Sequence, residues 1–346
     1  MKRIALTHLI IALLAAISAF ATDEKKPAAN NKPAADAAAK KDGEKKADAP
    51  KPADPADAKK PDAAAAKAAK AKARADAKAK AVAKPDEKKP AAPAVPVFKD
   101  KNLEAAVRKQ VFAKRENTEP LVATDVENVS FVQGKNMKIT DLSGLEQCKA
   151  LAQLELPDNQ ITDVSAIKNL ERLQYVDLAN NQIEDITAIG TLKALQYLDL
   201  TKNRVKNVAP LGGIAALTSM YLSNNEITDA SPLFKLPKAS SLYLDGNKLT
   251  SIAGVGALKW LGMLSLKDNQ ISDISPIEPL GELRFLFIDN NKVADLSPLK
   301  RMLQKDLDGP HNFAPYMNIY LGGNPLSDES KKIVEELKTK HLRVNP

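Results

Sequence analysis

Apolar residues recur along the chain with a period of 22 residues from residue 151 onwards. Within each unit they occupy positions 1, 4, 6, 11, 14, 17 and 20, and position 9 is Asn in every unit. The units begin at Leu151, Leu173, Leu195, Leu217, Ala239, Leu261 and Leu283. A fixed period over seven consecutive units predicts a repeat array whose neighbouring units share one hydrophobic core.

The first seven positions of each unit predict a short β-strand. Successive side chains of a strand alternate, so positions 4 and 6 face the core and positions 3, 5 and 7 face away from it. Each strand is expected to pair with the same strand of the next unit, which gives a parallel sheet. Pro at position 16 of four units suits an extended or 3₁₀ segment on the return path: Pro210, Pro232, Pro276 and Pro298.

The regular spacing of Asn at position 9 predicts a hydrogen-bonded ladder inside the array. After this position the chain turns away from the strand, and its backbone groups lose their strand partners. An Asn amide both donates and accepts hydrogen bonds, so it can satisfy such groups. The predicted ladder consists of Asn159, Asn181, Asn203, Asn225, Asn247, Asn269, Asn291 and Asn324.

The N-terminal side of the array predicts a helical cap. Leu103, Val107 and Val111 are spaced i, i+4 and i+8, which places them on one face of a short helix. A second short helix is expected to begin near Thr124. The segment 139–145 matches the repeat pattern in part and is expected to form an incomplete first repeat.

The C-terminal side predicts a last repeat and a second cap. Residues 316–326 match the repeat, and residues 330–342 have the pattern of an amphipathic helix. The last two ladder Asn residues are 33 positions apart instead of 22, so about 11 additional residues lie near 304–315. Residues 308–313 predict a loop. The additional residues are either a binding element or a simple surface excursion, and the sequence favours neither.

The repeat pattern resembles the leucine-rich repeat, specifically the 22-residue bacterial form found in internalins, and the resemblance covers about residues 98–346. It implies an α/β solenoid with a parallel sheet on the concave face, short 3₁₀ or extended segments on the convex face, a helical N-terminal cap and a C-terminal capping helix. Because no wall-sorting signal follows residue 346, we do not expect the host-adhesin role of the family. The predicted divisions are 1–21, 22–97, 98–150, 151–315 and 316–346.

The first 21 residues predict a secretory signal peptide. Lys2 and Arg3 precede an apolar run over residues 4–20, and Ala19-Phe20-Ala21 has the small-x-small pattern of a cleavage site. The alternative is an uncleaved N-terminal anchor. We expect an exported protein, periplasmic or secreted to the cell surface, that spans no membrane once the signal is cleaved.

Residues 22–97 predict a disordered linker. They hold 28 Ala, 10 Pro, 19 Lys or Arg and 12 Asp or Glu, without any aromatic residue, Leu or Ile, so they cannot form a core. This linker carries a charge of +7, whereas residues 98–346 carry −1. The linker is either a spacer or a segment that contacts anionic envelope polymer or lipid electrostatically. Export argues against a nucleic-acid partner.

The candidate chemistry of an enzyme is sparse. Apart from the signal segment the chain holds His311 and His341, which lie in different regions, and a single Cys148 flanked by core-patterned Leu. We therefore expect a buried structural thiol, no catalytic residues, no metal site and no cofactor. Asp recurs at position 13, where turn capping is favoured over a calcium ladder, in Asp163, Asp185, Asp229, Asp273 and Asp295.

The outward positions of the strands predict a binding surface. Aromatic residues are 4% of the chain, yet they fill seven of the sixteen places at positions 3 and 5 of eight repeats. Acidic residues lie between them, against Lys202 and Lys267. Cross-strand aromatic ladders also stabilise sheets, but they do not explain the one-sided charge. The predicted binding residues are Glu155, Tyr175, Asp177, Tyr197, Asp199, Tyr221, Tyr243, Asp245, Phe285, Phe287, Asp289 and Tyr320.

Two functions follow from these observations. The first is recognition of a protein or peptide partner with a basic or neutral contact face, because Tyr and Phe are effective anchors on an acidic groove. The alternative is an envelope scaffold that is attached through the basic linker.

Overall fold

The computed structural model describes residues 95–345. The predicted signal peptide and residues 22–94 of the predicted linker lie outside the described residues, so these two predictions, and the domain boundaries drawn from them, stay predictions. Within residues 95–345 the model contains no helix that is long and apolar enough to cross a membrane.

Ten short parallel strands form a single sheet in chain order. Neighbouring strands pair in the register of the 22-residue period, so position 3 lies opposite position 3 and position 5 opposite position 5. The strands are β1 Phe131–Gln133, β2 Gln153–Glu155, β3 Tyr175–Asp177, β4 Tyr197–Asp199, β5 Ser219–Tyr221, β6 Ser241–Tyr243, β7 Met263–Ser265, β8 Phe285–Phe287, β9 Asn318–Tyr320 and β10 Arg343–Asn345.

The core lies between the sheet and a column of 3₁₀ turns on the opposite side of the repeats. The middle residue of every strand is buried, and so are the apolar residues at the periodic positions of the units. Cys148 is fully buried at position 20 of the repeat before β2, and burial raises the pKa of its thiol to about 12. The 3₁₀ helices are Phe112–Lys114, Leu145–Gln147, Ser165–Ile167, Ile189–Thr191, Ala209–Gly213, Ser231–Lys235, Val255–Ala257, Ser275–Ile277 and Ala314–Tyr316.

The carboxylates at position 13 cap the turns that lead into the 3₁₀ helices or, in the case of Asp295, into the α-helix Ser297–Leu307, as predicted. Asp163 accepts the N–H of Ser165 and Asp185 accepts that of Thr187, both at 2.8 Å. Asp229, Asp273 and Asp295 each make the equivalent bond to a Ser two residues later, also at 2.8 Å. These bonds begin each turn in the same way, which keeps successive units superposable.

Six of the eight ladder Asn residues hold adjacent repeats together through four hydrogen bonds each, whereas Asn159 makes five and Asn324 makes three. Nδ2 of Asn225 donates to the carbonyl oxygens of Leu200, Leu222 and Ser223 at 2.9, 3.0 and 3.3 Å, and its Oδ1 accepts the N–H of Val205 at 2.9 Å. The same pattern recurs at Asn159, Asn181, Asn203, Asn247, Asn269 and Asn291. One amide thus satisfies backbone groups of two repeats in a buried turn.

Among residues 95–345, four α-helices cap and interrupt the array: α1 Lys101–Arg108, α2 Ala123–Val126, α3 Ser297–Leu307 and α4 Asp328–Thr339. Asp100 ties α1 to the first repeat, because Oδ1 accepts from the first turn of the helix while Oδ2 accepts the N–H groups of Thr140 and Asp141. In α4 the Ser327 hydroxyl accepts the N–H of Ser330, and the buried face of the helix packs on the last repeat.

Both edges of the sheet extend further than the sequence predicted. The segment 139–145 was expected to begin an incomplete repeat, but β1 shows that this repeat starts near Val129 and contributes a strand. The repeat pattern is hard to recognise in the sequence, because Gly134 replaces the apolar residue at position 6 and Met137 replaces the Asn at position 9. A side chain at Gly134 would meet Ile139 and Leu156 at 3.0 Å and Ala106 of α1 at 3.2 Å, so neighbouring core residues and the helix together occupy the space that Leu fills elsewhere. At the other edge, β10 pairs with β9 after α4.

The additional residues between the last two ladder positions form a helix and a capped turn. Helix α3 replaces the 3₁₀ helix of its repeat, which the sequence did not predict, while the loop predicted at 308–313 is present. The buried carboxylate of Asp306 accepts the N–H groups of Asn312, Phe313 and Ala314 at 2.9–3.2 Å. Phe313 and Ala314 are buried, so this segment is packed against the array.

We expect Asn225→Ala to lower the free energy of unfolding by about 2–4 kcal/mol, because buried backbone groups lose their partners at about 1–3 kcal/mol each. Urea denaturation followed by circular dichroism measures this loss. Asn207→Ser is the matched control, since Asn207 caps an exposed turn in the preceding repeat and Ser251 does so at the equivalent position of a later one. The control should change stability by less than about 0.5 kcal/mol. Equal losses would contradict the role of the ladder.

Candidate recognition surface

The side chains at positions 3, 5 and 7 of β2–β9 form one continuous surface, which we call the strand face. The two outer residues of these strands are half-buried by their neighbours, apart from Phe285, which is exposed, and Ser265, which is buried. All twelve residues that the sequence predicted as a binding site lie on this face. The acidic residues occupy position 5 or 7, and the aromatic residues occupy position 3 or 5.

Four tyrosine rings form a continuous stack across β3–β6. The ring centroids of Tyr175 and Tyr197 are 4.1 Å apart with planes inclined by 4°. Tyr221 follows at 5.2 Å and 38°, where the stack crosses from position 3 to position 5, and Tyr243 follows at 4.6 Å and 13°. Stacked rings in register restrict one another, so these side chains are held in place before any partner binds.

A second aromatic group lies on β8 and β9. Phe287 stacks on Tyr320 at 4.6 Å and 10°, and Phe285 lies 6.4 Å from Phe287 along the same strand. The ammonium of Lys267 stands 5.5 Å from the centroid of the Phe287 ring, within cation–π distance. Strand β7 separates this group from the tyrosine stack, since positions 3 and 5 there are Met263 and Ser265.

Three carboxylates lie side by side at position 5 of β2, β3 and β4. Glu155 pairs across the strands with Asp177, and Asp177 with Asp199. The pKa of the Asp177 carboxyl is raised to about 6, chiefly by burial and in addition by the charges of the two neighbouring carboxylates, although the N–H of Ala179 acts to lower it through a hydrogen bond of 3.0 Å. Burial also raises the pKa of Asp199. Like charges in direct register are destabilising, so this row stores unfavourable energy.

The carboxylates at position 7 have structural partners that the sequence did not reveal. Oδ1 of Asp245 accepts the Ser265 hydroxyl at 2.5 Å and the Lys267 N–H at 2.8 Å, both from the next repeat. Oδ1 of Asp289 accepts the N–H of Gly322 at 3.2 Å. These two residues lie on the strand face, but their hydrogen bonds connect the loops of neighbouring repeats. In this they differ from the row of carboxylates on β2–β4.

The tyrosine hydroxyls stay protonated on this face. Burial raises the pKa of Tyr175 and of Tyr221 to about 12, and burial also raises the pKa of Tyr197 and of Tyr243. Nearby carboxylates act in the same direction, because they disfavour a phenolate. At physiological pH the stack therefore offers neutral rings with hydroxyl groups that donate and accept hydrogen bonds.

Within residues 95–345, two other kinds of candidate site remain to be considered: a metal-binding cluster and a surface cleft. Among residues 95–345, His, Cys, Asp and Glu side chains form no cluster that is arranged to hold a metal ion. A cleft of about 180 Å³ lies between α3 and the preceding turn, lined by Leu280, Met302 and Phe313 among others. Of its two carboxylates, Asp306 is committed to the capped turn and Glu278 pairs with Arg301 at 2.5 Å.

Comparison with known proteins identifies the repeat family. A family model described as leucine-rich repeats in two copies matches residues 171–213 and 261–301. The crystal structure of internalin C2 from Listeria monocytogenes is 32% identical to this chain, covers 60% of this chain and 91% of its own, and has a TM-score of 0.56. The chain belongs to the internalin-like family of bacterial leucine-rich repeat proteins. The family and the solenoid fold predicted from the 22-residue period are thereby confirmed.

Two further solved structures are similar to this internalin-like protein at lower sequence identity. Internalin F from Listeria monocytogenes is 24% identical over 72% of this chain and 89% of its own, with a TM-score of 0.38. A plant peptide hormone receptor, RGFR1 in complex with RGF2, is 22% identical over 53% of this chain and 30% of its own, with a TM-score of 0.46. No curated protein sequence matches the chain. Leucine-rich repeat proteins of this kind are typically non-enzymatic modules of protein recognition.

The row of carboxylates predicts a pH-dependent stability. A carboxyl whose pKa is raised on folding from 3.8 to about 6 binds more protons in the folded chain, so its ionisation destabilises the fold as the pH rises through that range. Asp177→Asn keeps an oxygen for the Ala179 N–H but carries no charge. We expect this variant to match the parent in melting temperature near pH 4 and to melt higher at pH 7.5.

Asp185→Asn is the control of opposite sign. Hydrogen bonds from the Thr187 side chain and N–H hold the pKa of Asp185 below its usual value, so its ionised form stabilises the fold above about pH 4 and this contribution is lost at lower pH. The variant should therefore melt lower than the parent at pH 7.5, and the two should converge as the pH falls. Shifts of the same sign in both variants would contradict the assigned electrostatics.

Proposed function

We propose that this internalin-like protein is an exported recognition module that binds a protein or peptide on its strand face, the concave face of the solenoid. The observation that carries the proposal is the continuous stack of Tyr175, Tyr197, Tyr221 and Tyr243 beside three acidic residues. Aromatic side chains lose little conformational entropy on binding and are enriched among the residues that dominate binding energy. No catalytic role is proposed.

The size of the strand face supports a protein or peptide partner. Eight strands about 4.8 Å apart give a face roughly 38 Å long. With a width of roughly 16 Å the area is about 600 Å², near the area that one partner buries in a standard protein interface. The acidic row on β2–β4 supports a partner with a basic or neutral contact surface, because charge complementarity steers association and excludes acidic partners.

Export rests on the N-terminal sequence, where a basic start, an apolar run and a small-x-small motif precede a polar segment. The final compartment in this proposal is the periplasm or the cell surface. A second candidate function is an envelope scaffold whose basic residues 22–97 contact anionic polymer. The net charge of +7 in that segment favours it.

The function is tested with the double variant Tyr197→Ala and Tyr221→Ala, which interrupts the stack at its centre. We expect binding of the natural partner to weaken by at least about 30-fold, because central aromatic anchors contribute 2 kcal/mol or more. Partners are captured from envelope and culture-supernatant extract at low and physiological salt, comparing residues 98–346 with residues 22–346. The affinity of each captured protein is then measured by calorimetry.

Tyr316→Ala is the matched control, because Tyr316 is 61% exposed and lies outside the strands. It should leave affinity unchanged, and melting curves of all variants report whether the fold is intact. Undiminished binding by the folded double variant would eliminate the strand face as the recognition surface. Capture only by the longer chain, abolished by salt, would favour the scaffold function.

A further inference from the structure

The carboxylate row on β2–β4 differs from other carboxylates that face across repeats. On the flank of the array, Lys206 lies 2.7 Å from Glu184 of the preceding repeat, and Lys248 lies 2.9 Å from Glu226. Asp158, at the end of the strand face, has Lys135 at 3.4 Å. In each of these three pairs, a lysine of a neighbouring repeat neutralises the carboxylate.

The row itself has no such neutralisation within the described residues. Between residues 95 and 345, no lysine or arginine nitrogen lies within ion-pair distance of Glu155, Asp177 or Asp199. Their polar contacts are the side-chain amides of Gln133 and Gln153 on Glu155, and loop N–H groups on the two Asp residues. The bond on Asp177 reaches Oδ1 and leaves its Oδ2 without a hydrogen-bond partner among the described residues, whereas the Asp199 carboxylate also interacts with the Thr201 side chain.

The rings of the tyrosine stack border this row on two sides. On β3 and β4 the tyrosines stand at position 3 of the same strands that carry Asp177 and Asp199 at position 5, about 7 Å along the strand. On β5, Tyr221 continues the row at position 5. A cation above the carboxylates would thus lie beside aromatic rings, and a planar guanidinium both pairs with carboxylates and stacks on rings.

The spacing of the row defines the segment that fits it. Three carboxylates on strands about 4.8 Å apart span about 10 Å along the sheet. An extended peptide that crosses the strands presents the side chains of residues i and i+2 on one face, about 7 Å apart, whereas residue i+1 points away. Two basic residues separated by one residue therefore cover the row, and two adjacent basic residues do not.

We propose that the strand face recognises an extended segment with an Arg-x-Arg pattern, whose two guanidinium groups pair with Glu155, Asp177 and Asp199 between the tyrosine rings. This inference names the partner chemistry of the proposed function and rests on it. Arginine is preferred over lysine, because its planar group pairs with carboxylates through two hydrogen bonds and stacks on phenol rings.

The probe is a blocked peptide, Ala-Arg-Ala-Arg-Ala, titrated into the full chain with isotope-labelled tyrosine rings and followed by NMR. Signals of Tyr175, Tyr197 and Tyr221 should shift, while that of exposed Tyr316 should not. The isomer Ala-Arg-Arg-Ala-Ala has the same composition and charge, and it should bind about fivefold more weakly, as expected for loss of one partly exposed ion pair. The lysine analogue Ala-Lys-Ala-Lys-Ala should also bind more weakly.

Two double variants separate local pairing from the net charge of the protein. Asp177→Asn with Asp199→Asn removes two charges from the row and keeps both loop hydrogen bonds. Asp163→Asn with Asp185→Asn removes two charges at exposed turns of the repeats that carry Glu155 and Asp177, and Asn207 already serves at such a turn in another repeat. We expect the first variant to weaken peptide binding by about tenfold or more, and the second to change it little. Equal effects, or equal binding of the two arginine isomers, would overturn the proposal.

The outcome is also distinguishable from failure of the recognition function. If the natural partner is lost by the Tyr197→Ala and Tyr221→Ala variant but retained by the Asp177→Asn and Asp199→Asn variant, the strand face is a recognition surface and the Arg-x-Arg assignment is wrong. If neither variant affects the natural partner while the peptide behaves as expected, the chemistry of the row is correct and the proposed function fails.

Discussion

The ladder of Asn side chains is the constraint on which the rest of this structure depends. Each buried amide satisfies backbone groups of its own turn and of the preceding repeat, so each turn has the same length and conformation as its neighbour. The period of 22 residues follows from this requirement, because an insertion before position 9 would separate an amide from its partners. The single departure from the period lies after the turn, where α3 extends on the opposite side of the repeat and leaves the strands in register.

Strict register has two opposite consequences for the strand face. It brings Tyr175 and Tyr197 into a parallel stack at 4.1 Å, which adds favourable contact to every repeat interface. It also sets Asp177 opposite Asp199, where burial raises the pKa of both carboxyls above their usual value and the neighbouring carboxylates add to the rise at Asp177. Stability alone would favour a neutral or oppositely charged pair at that position. An arrangement that the fold does not need is the kind of feature that points to binding.

The sequence predicts this fold well because its signals are local to each repeat. Period, strand face and Asn position all follow from residues within one unit, and the twelve predicted site residues fall on one surface. The first strand escaped prediction because Gly134 and Met137 replace the two most diagnostic residues where α1 supplies the packing. The bracing role of Asp245 escaped because its partners belong to the next repeat. Contacts between units depend on side-chain geometry that a repeat pattern does not encode.

Strand β7 divides the strand face into two chemically different parts. Ser265 is buried and bonded to Asp245, so the row of rings is interrupted, and Tyr243 and Phe287 are separated by two strand spacings, about 10 Å, which exceeds the range of ring stacking. On one side of this gap the rings border uncompensated carboxylates, and on the other side Lys267 already covers Phe287. Side chains within one aromatic group are coupled, whereas those across the gap act independently. Under the proposed function, a partner that carries positive charge at one end and apolar residues at the other would be held in one orientation along the array.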